Sequence, residues 1–268
     1  MSGRRLEWMS WPEIQEAASQ PGSTVIWPFG AFEQHGPHLP VCTDSCFAEM
    51  VLESIMARIS SDRPIWRLPL QTIGFSPEHE EFPGTLSISA ELVLMLVEQV
   101  GRQLAKAGFK RLILFNAHGG QIGLLQVAAR QLRARYPSLG VLPCFLWSGP
   151  EGLIPLLPEP ERHEGLHAGL AETSLMLYLQ QNKVGKSRPW DGIKNCPNPP
   201  LQPPIGWTLE GNVPNAWLSS DLSFTGVIGD SRDSNSVLGE QLFTLLVNGW
   251  SARFESLLDS SWPPQRLG

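Results

Sequence analysis

Thr24-Val-Ile-Trp-Pro28 is a short apolar run that breaks into Phe29-Gly-Ala-Phe-Glu-Gln-His-Gly-Pro-His-Leu-Pro-Val-Cys-Thr-Asp44 before apolar spacing resumes over Ser45–Ile59. A strand, a glycine-punctuated turn and a helix in succession make the first half of a strand–helix–strand unit. The same order recurs downstream. Pro64–Leu68, Arg111–Phe115 and Leu139–Phe145 read as buried strands bounded by Gly, Pro or charge. Ala90–Ala107 and Gln121–Arg135 carry apolar residues three and four apart, with Gly108 as a helix stop, and Ala168–Gln180 and about Ser234 to Leu258 are helical in pattern. Alternation of this kind predicts an α/β fold with a largely parallel central sheet, built as one domain over residues 1–268. From about 186 to 225 the composition turns to Pro, Asn, Gly and Trp without a period, which reads as an excursion serving subunit contacts or as a substrate lid.

The chain has 268 residues, 42% of them apolar and 17% charged, with a formal charge of -6 and no block of consecutive Lys or Arg. Such a composition suits a globular protein and gives no electrostatic footprint for nucleic acid or an anionic membrane. Four cysteines without a CxxC pair argue against a disulfide framework or a thiolate zinc site. With no apolar h-region after MSGRRLEWMS and no spanning stretch, the expected location is the cytoplasm.

Ligands of open α/β sheets bind beyond the carboxyl ends of the strands, and three chemically rich turns are placed there. After the first strand, Glu33 and His35 are separated by one residue, so an extended backbone sends both side chains to the same side. Asp44 stands just ahead of the next helix, where it could bridge two metal ions or, like Ser45, cap the helix. After the second strand, Gly74-Phe-Ser-Pro-Glu-His-Glu-Glu-Phe-Pro-Gly-Thr-Leu-Ser87 supplies Ser76, Glu78 and His79, which could position substrate or form a solvated acidic loop. After the third, Asn116-Ala-His118-Gly-Gly-Gln121 aims His118 at the same crevice; the glycine pair could instead cradle phosphate, though the Walker lysine is missing. His167-Ala-Gly-Leu-Ala-Glu172-Thr-Ser places a histidine just before a helix and a carboxylate within it. Among Ala168, Leu170, Ala171, Leu175 and Met176 a charge is expensive to bury unless paired or metal-bound, although an exposed helix position would explain Glu172 equally well.

Taken singly, each of these residues could be a loop polar group satisfying a turn. Together, three carboxylates and two histidines form a mixed oxygen and nitrogen set suited to Zn²⁺ or Mn²⁺, and a pair of such ions would generate hydroxide near neutral pH. His167 is the candidate for carrying the proton to a leaving nitrogen.

Glu-Gln-His-Gly-Pro-His-Leu-Pro with its downstream Thr-Asp, Glu-His-x-x-Phe-Pro-Gly-Thr, Asn-x-His-Gly-Gly and His-Ala-Gly-x-x-Glu-Thr-Ser, in this order, resemble the creatininase (creatinine amidohydrolase) family over most of Trp27–Leu177. The resemblance implies a three-layer α/β/α fold and a binuclear metal centre in which Asp44 bridges and Glu33, His35, His118 and Glu172 are the other ligands. It further implies His167 as the catalytic histidine and a homo-oligomer, with the hexamer common in the family. One departure bears on substrate: creatinine hydrolases tend to carry an acidic residue two positions after the third-motif histidine, where this chain has Gly120. The resemblance also takes in deformylases of ring-opened purine or pyrimidine intermediates, peptide-trimming enzymes of cofactor maturation and hydrolases of cyclic polyol ketones, so creatinine is one substrate among several. The expected activity is metal-dependent hydrolysis of a carbon–nitrogen bond, other than an ordinary peptide bond, in a small amide or formamide, cyclic ones included. The competing class is a non-catalytic metal- or ligand-binding subunit that regulates or scaffolds a complex; retention of His167 argues against it.

Overall fold

The computed structural model describes residues 4–159 and 161–264. Helix α1 (Trp11–Ser19) precedes β1 (Thr24–Phe29), whose six residues are all buried, as β-branched and aromatic side chains in the middle of a sheet require. The chain continues through α2 (Thr43–Arg58), β2 (Ile65–Arg67), α3 (Ala90–Ala107), β3 (Arg111–Asn116), α4 (Ile122–Arg135) and β4 (Gly140–Phe145). All neighbouring strands of this sheet pair in parallel, in the order β2-β1-β3-β4. The chain thus builds outward from β1 to β2, crosses back over β1 to β3, and reverses its winding between β1 and β3. That reversal opens a crevice at the strand ends, where the Phe29↔Asn116 pair starts two loops side by side.

Strand alternation divides the core into two layers. Val25, Trp27, Phe29, Leu112 and Leu114 face α1, α3 and α4. Ile26, Ile65, Ile113 and Phe115 face α2 and two later helices, α6 (Leu170–Leu179) and α8 (Ser236–Asp259). The layering is the α/β/α sandwich expected. Between β4 and α8 the described residues form, besides α6 and a few 3-10 turns, the short elements α5 (Glu161–Glu164), β5 (Trp190–Asp191), α7 (Ser219–Leu222) and β6 (Gly229–Asp230), with β5 and β6 paired antiparallel.

Several boundaries move. The second strand shrinks from Pro64–Leu68 to Ile65–Arg67. The helix expected at Ser45 begins at Thr43, so Asp44 lies in its first turn, not ahead of it, and does not cap it. A Cβ at Gly30 would clash with the backbone of Ser45, so only glycine lets the turn after β1 lie against the start of α2. Gly108 does stop α3, in a left-handed conformation with φ 105°.

Candidate metal centre

Glu33, His35, Asp44 and His118 are each at most 2% exposed and meet at the β1/β3 crevice. Asp44 lies between two pairs of side chains. Its Oδ2 is 3.3 Å from His118 Nδ1, which is 3.2 Å from Glu33 Oε2. Its Oδ1 is 3.5 Å from His35 Nε2, which is 4.0 Å from Glu172 Oε2. Despite these approaches, Glu33 Oε2, Asp44 Oδ2 and His35 Nε2 have no hydrogen-bond partner among the described residues. Buried polar atoms left in that condition call for an ion or a water. Glu33, His35 and Asp44 offer ligand atoms within 4.8 Å of one another, and so do His35, His167 and Glu172.

The outward nitrogens of three rings settle which nitrogen faces in. His35 Nδ1 donates to the Glu33 carbonyl (3.1 Å), His118 Nε2 to the Phe75 carbonyl (2.9 Å) and His167 Nε2 to the Gln34 carbonyl (2.7 Å). A carbonyl only accepts, so in the neutral ring the other nitrogen carries a lone pair into the cluster, the arrangement metal-binding histidines use. Without an ion, ring protons balance the charge instead. Burial works against a charged His35, but Asp44, Glu172 and Glu33 outweigh it and raise the ring to about 10. His118 is likewise raised well above its ordinary value, against burial, by Glu33 and Asp44. Asp44 is held below the usual carboxylate range by His35 and His118 although burial opposes this. Burial, reinforced by Asp44 and Glu33, pushes Glu172 up to about 7, with His35 opposing. So much negative charge demands cations in return, and a divalent ion can displace the ring protons.

The other sequence candidates converge on the same place. His167 Nδ1 is 3.9 Å from Glu33 Oε1 and its ring packs 4.2 Å from both His35 and His79. Burial and these two neighbours hold His167 well below its ordinary value. His79 Nε2 lies 3.6 Å from Glu33 Oε1, and burial lowers that ring to about 4. Ser76 Oγ is 3.2 Å from His118 Nε2. Glu78 Oε1 is 3.7 Å from the same nitrogen and fills the space where a side chain at Gly120 would stand.

Sequence reasoning passed over several supports. Gln34 joins His79 Nδ1 (2.9 Å) to the Gly226 carbonyl (3.1 Å), and Ser219 at the start of α7 reaches the same His79 nitrogen at 2.6 Å. His38 Nε2 meets Thr173 Oγ1 at 2.8 Å, beside Glu172. Gln34 and His38 lie inside the first motif and could have been read from it, whereas nothing in the irregular run around Ser219 marks it. A cavity of about 410 Å³ opens from the cluster, lined by Phe145, Trp147, Leu153 and Ile154 as well as by Glu78, Glu210 and Trp217.

The model of the creatinine amidohydrolase family matches residues 7–254. The chain belongs to the creatininase family. A mycofactocin precursor peptide peptidase of Mycobacterium tuberculosis is 34% identical over 251 residues, spanning 91% of this chain and 88% of that one. The creatinine amidohydrolase of Pseudomonas putida is 27% identical over 194 residues, 67% of this chain and 73% of that one. A solved manganese creatininase superposes with a TM-score of 0.76 at 22% identity, covering 96% of this chain and 99% of its own, so the sandwich is the creatininase fold. Another neighbour is a creatininase variant of Zn-Zn type. This creatininase-family hydrolase has no helix among its described residues long and apolar enough to cross a membrane.

Proposed function

We propose that this chain is a binuclear metal-dependent amidohydrolase, in which Glu33, Asp44 and His118 hold one divalent ion, Zn²⁺ or Mn²⁺, and His35, Asp44 and Glu172 hold a second. One observation carries the reading: the two oxygens of a single buried carboxylate, Asp44, approach two different ring nitrogens, Oδ1 that of His35 and Oδ2 that of His118. When bound, such ions supply an acidified water and polarise the scissile carbonyl. The chain's own residues do the rest. His167, kept neutral by burial and fixed by Gln34, presents Nδ1 as a base that takes a proton and returns it to the leaving nitrogen. Glu33 Oε1 lies 3.9 Å from His167 Nδ1 and the His79 ring stacks on the imidazole at 4.2 Å, which restrains its orientation, and the apolar lining residues limit water around the opened amide.

A cavity of about 410 Å³ exceeds the needs of a five-membered lactam. Its apolar lining residues and the names of the mycobacterial relatives favour the amide of a short peptide end over the small, non-peptide amide expected from sequence. The four free cysteines are in keeping with a reducing cytoplasm, and the exposed Leu201, Ile205 and Trp207 of the excursion with a homo-oligomer of single-domain subunits. Metal-stripped protein assayed on lactams, formamides and short peptides, before and after Mn²⁺ or Zn²⁺ is restored, tests the proposal. Turnover should appear only on reconstitution; equal turnover without metal defeats it, and tight metal binding with no turnover on the panel points to a non-catalytic subunit.

A further inference from the structure

Glu161 is a buried carboxylate, 5% exposed, that the chemistry above does not use. Its Oε1 accepts from the Leu170 N–H at 2.5 Å and its Oε2 from the Asp230 N–H at 2.8 Å. Leu170 opens α6, the helix that carries Glu172, and the N-cap residue Gly169 has no side chain to satisfy its orphan donors. A residue nine positions away in sequence therefore caps this helix. The backbone closes tightly round the carboxylate: a Cβ at Gly165, Gly169 or Gly229 would collide with it.

Between the two anchor points lie the residues that matter. His167 N donates to the Ile228 carbonyl at 3.1 Å and Ile228 N returns a bond at 2.8 Å, beside the Asp230 anchor. Ala168 follows at φ 54°, a left-handed conformation that strains an alanine and persists only where the surroundings impose it. Its N–H donates to Glu172 Oε2 at 2.7 Å. The strained residue thus joins the candidate base to the candidate ligand, and Glu161 holds both flanks.

We infer that Glu161 is a positioning residue: by clamping the first turn of α6 to β6 it fixes His167 and Glu172 in the centre. The inference rests on the roles proposed above for those two residues. Two acceptor oxygens are required because two N–H groups arrive from different segments, and an amide would set an NH₂ against one of them.

The test is Glu161→Gln, read by Mn²⁺ titration with electron paramagnetic resonance and by kcat and KM on the peptide substrate found by the panel. Binding of the second Mn²⁺ should weaken and the spin-coupled signal fade, while the first ion is held as in the wild type. The kcat should fall about 10- to 100-fold with KM changed less than about threefold. Ala168→Gly in the Glu161→Gln background should recover part of kcat, since glycine adopts the left-handed conformation without strain. Should Glu161→Gln fail to fold, Glu161→Asp, which keeps both acceptors but shortens their reach, carries the same expectations. Wild-type Mn²⁺ binding and kcat in the folded variant overturn the inference, as does a lowered melting temperature with unchanged kcat per loaded enzyme. If Glu33→Ala is also fully active, the metal reading itself has failed; if only the Glu161 variants are silent, the positioning role alone falls.

Discussion

Two regions of the molecule meet at the cavity, and they are held by opposite means. The strand-end half, Glu33 to Asp44 with His118, hangs from six consecutive rungs between β1 and β3 and from the first turn of α2. The excursion half, roughly 186 to 225, has one two-rung ladder and a single buried carboxylate, Asp191. Its Oδ1 accepts from Gly192 N, and its Oδ2 accepts from Ser223 Oγ, Phe224 N, Thr225 N and Thr225 Oγ1. Groups that hold charge at short range stand directly beyond the sheet's strand ends or in the first turn of α2, where backbone geometry cannot drift; Glu210 and Trp217, which also line the cavity, lie on irregular chain held by the small apolar cluster of Ile193, Cys196, Leu222 and Ile228 and by the Asp191 turn. Chemistry should therefore depend on the first region and substrate selection on the second.

Asp44→Ala should break the first region completely. With both half-sites losing an oxygen, kcat/KM falls on the order of 10³-fold or more and bound metal drops in elemental analysis. A variant with near-normal turnover would remove the distinction between the regions. His167→Ala sharpens it, since metal content should stay at the wild-type level while kcat falls about 10²- to 10⁴-fold; loss of metal in parallel would make His167 a ligand instead.

Asp191→Ala acts on the other side of the comparison. It leaves buried donors unpaired, so denaturant titration should show a loss of about 2–4 kcal/mol. Limited proteolysis should cut faster within 197–217, and KM should rise more than kcat falls. An unchanged KM would mean the excursion does not select substrate.

The smallest effect concerns pH. Burial and the nearby Asp230, opposed by N–H donors, raise Glu161 from its ordinary 4.5 to about 7. The folded metal-free protein then holds this proton more tightly than the unfolded chain, so stability declines as pH rises from about 4.5 through about 7 and levels off above, by at most about 3 kcal/mol. Melting temperatures at pH 5 and pH 7.5 should differ more in the wild type than in Glu161→Gln. Equal differences would show that Glu161 is not the group responsible.

Legibility follows the same divide. The four strands of the main sheet, the helices between them and the strand-end placement of Glu33, His35 and His118 were readable because buried parallel strands and amphipathic helices carry a period, and because turn chemistry clusters where strands stop. Asp44 was found as a residue, but its place inside α2 was not, since the close approach permitted by Gly30 is a tertiary fact. Glu161, Asp191 and Ser219 left no trace in the sequence: each is one polar residue in an aperiodic run, and its importance lies in backbone N–H groups or rings far away along the chain.

The most direct test of the metal-centre reading is the metal content of protein purified without chelators, measured for the wild type and Glu33→Ala together with circular dichroism. The wild type should carry up to two Zn²⁺ or Mn²⁺ ions per chain, and the variant should remain folded while losing much of its metal and nearly all activity. A folded Glu33→Ala protein with undiminished metal and turnover would contradict the account.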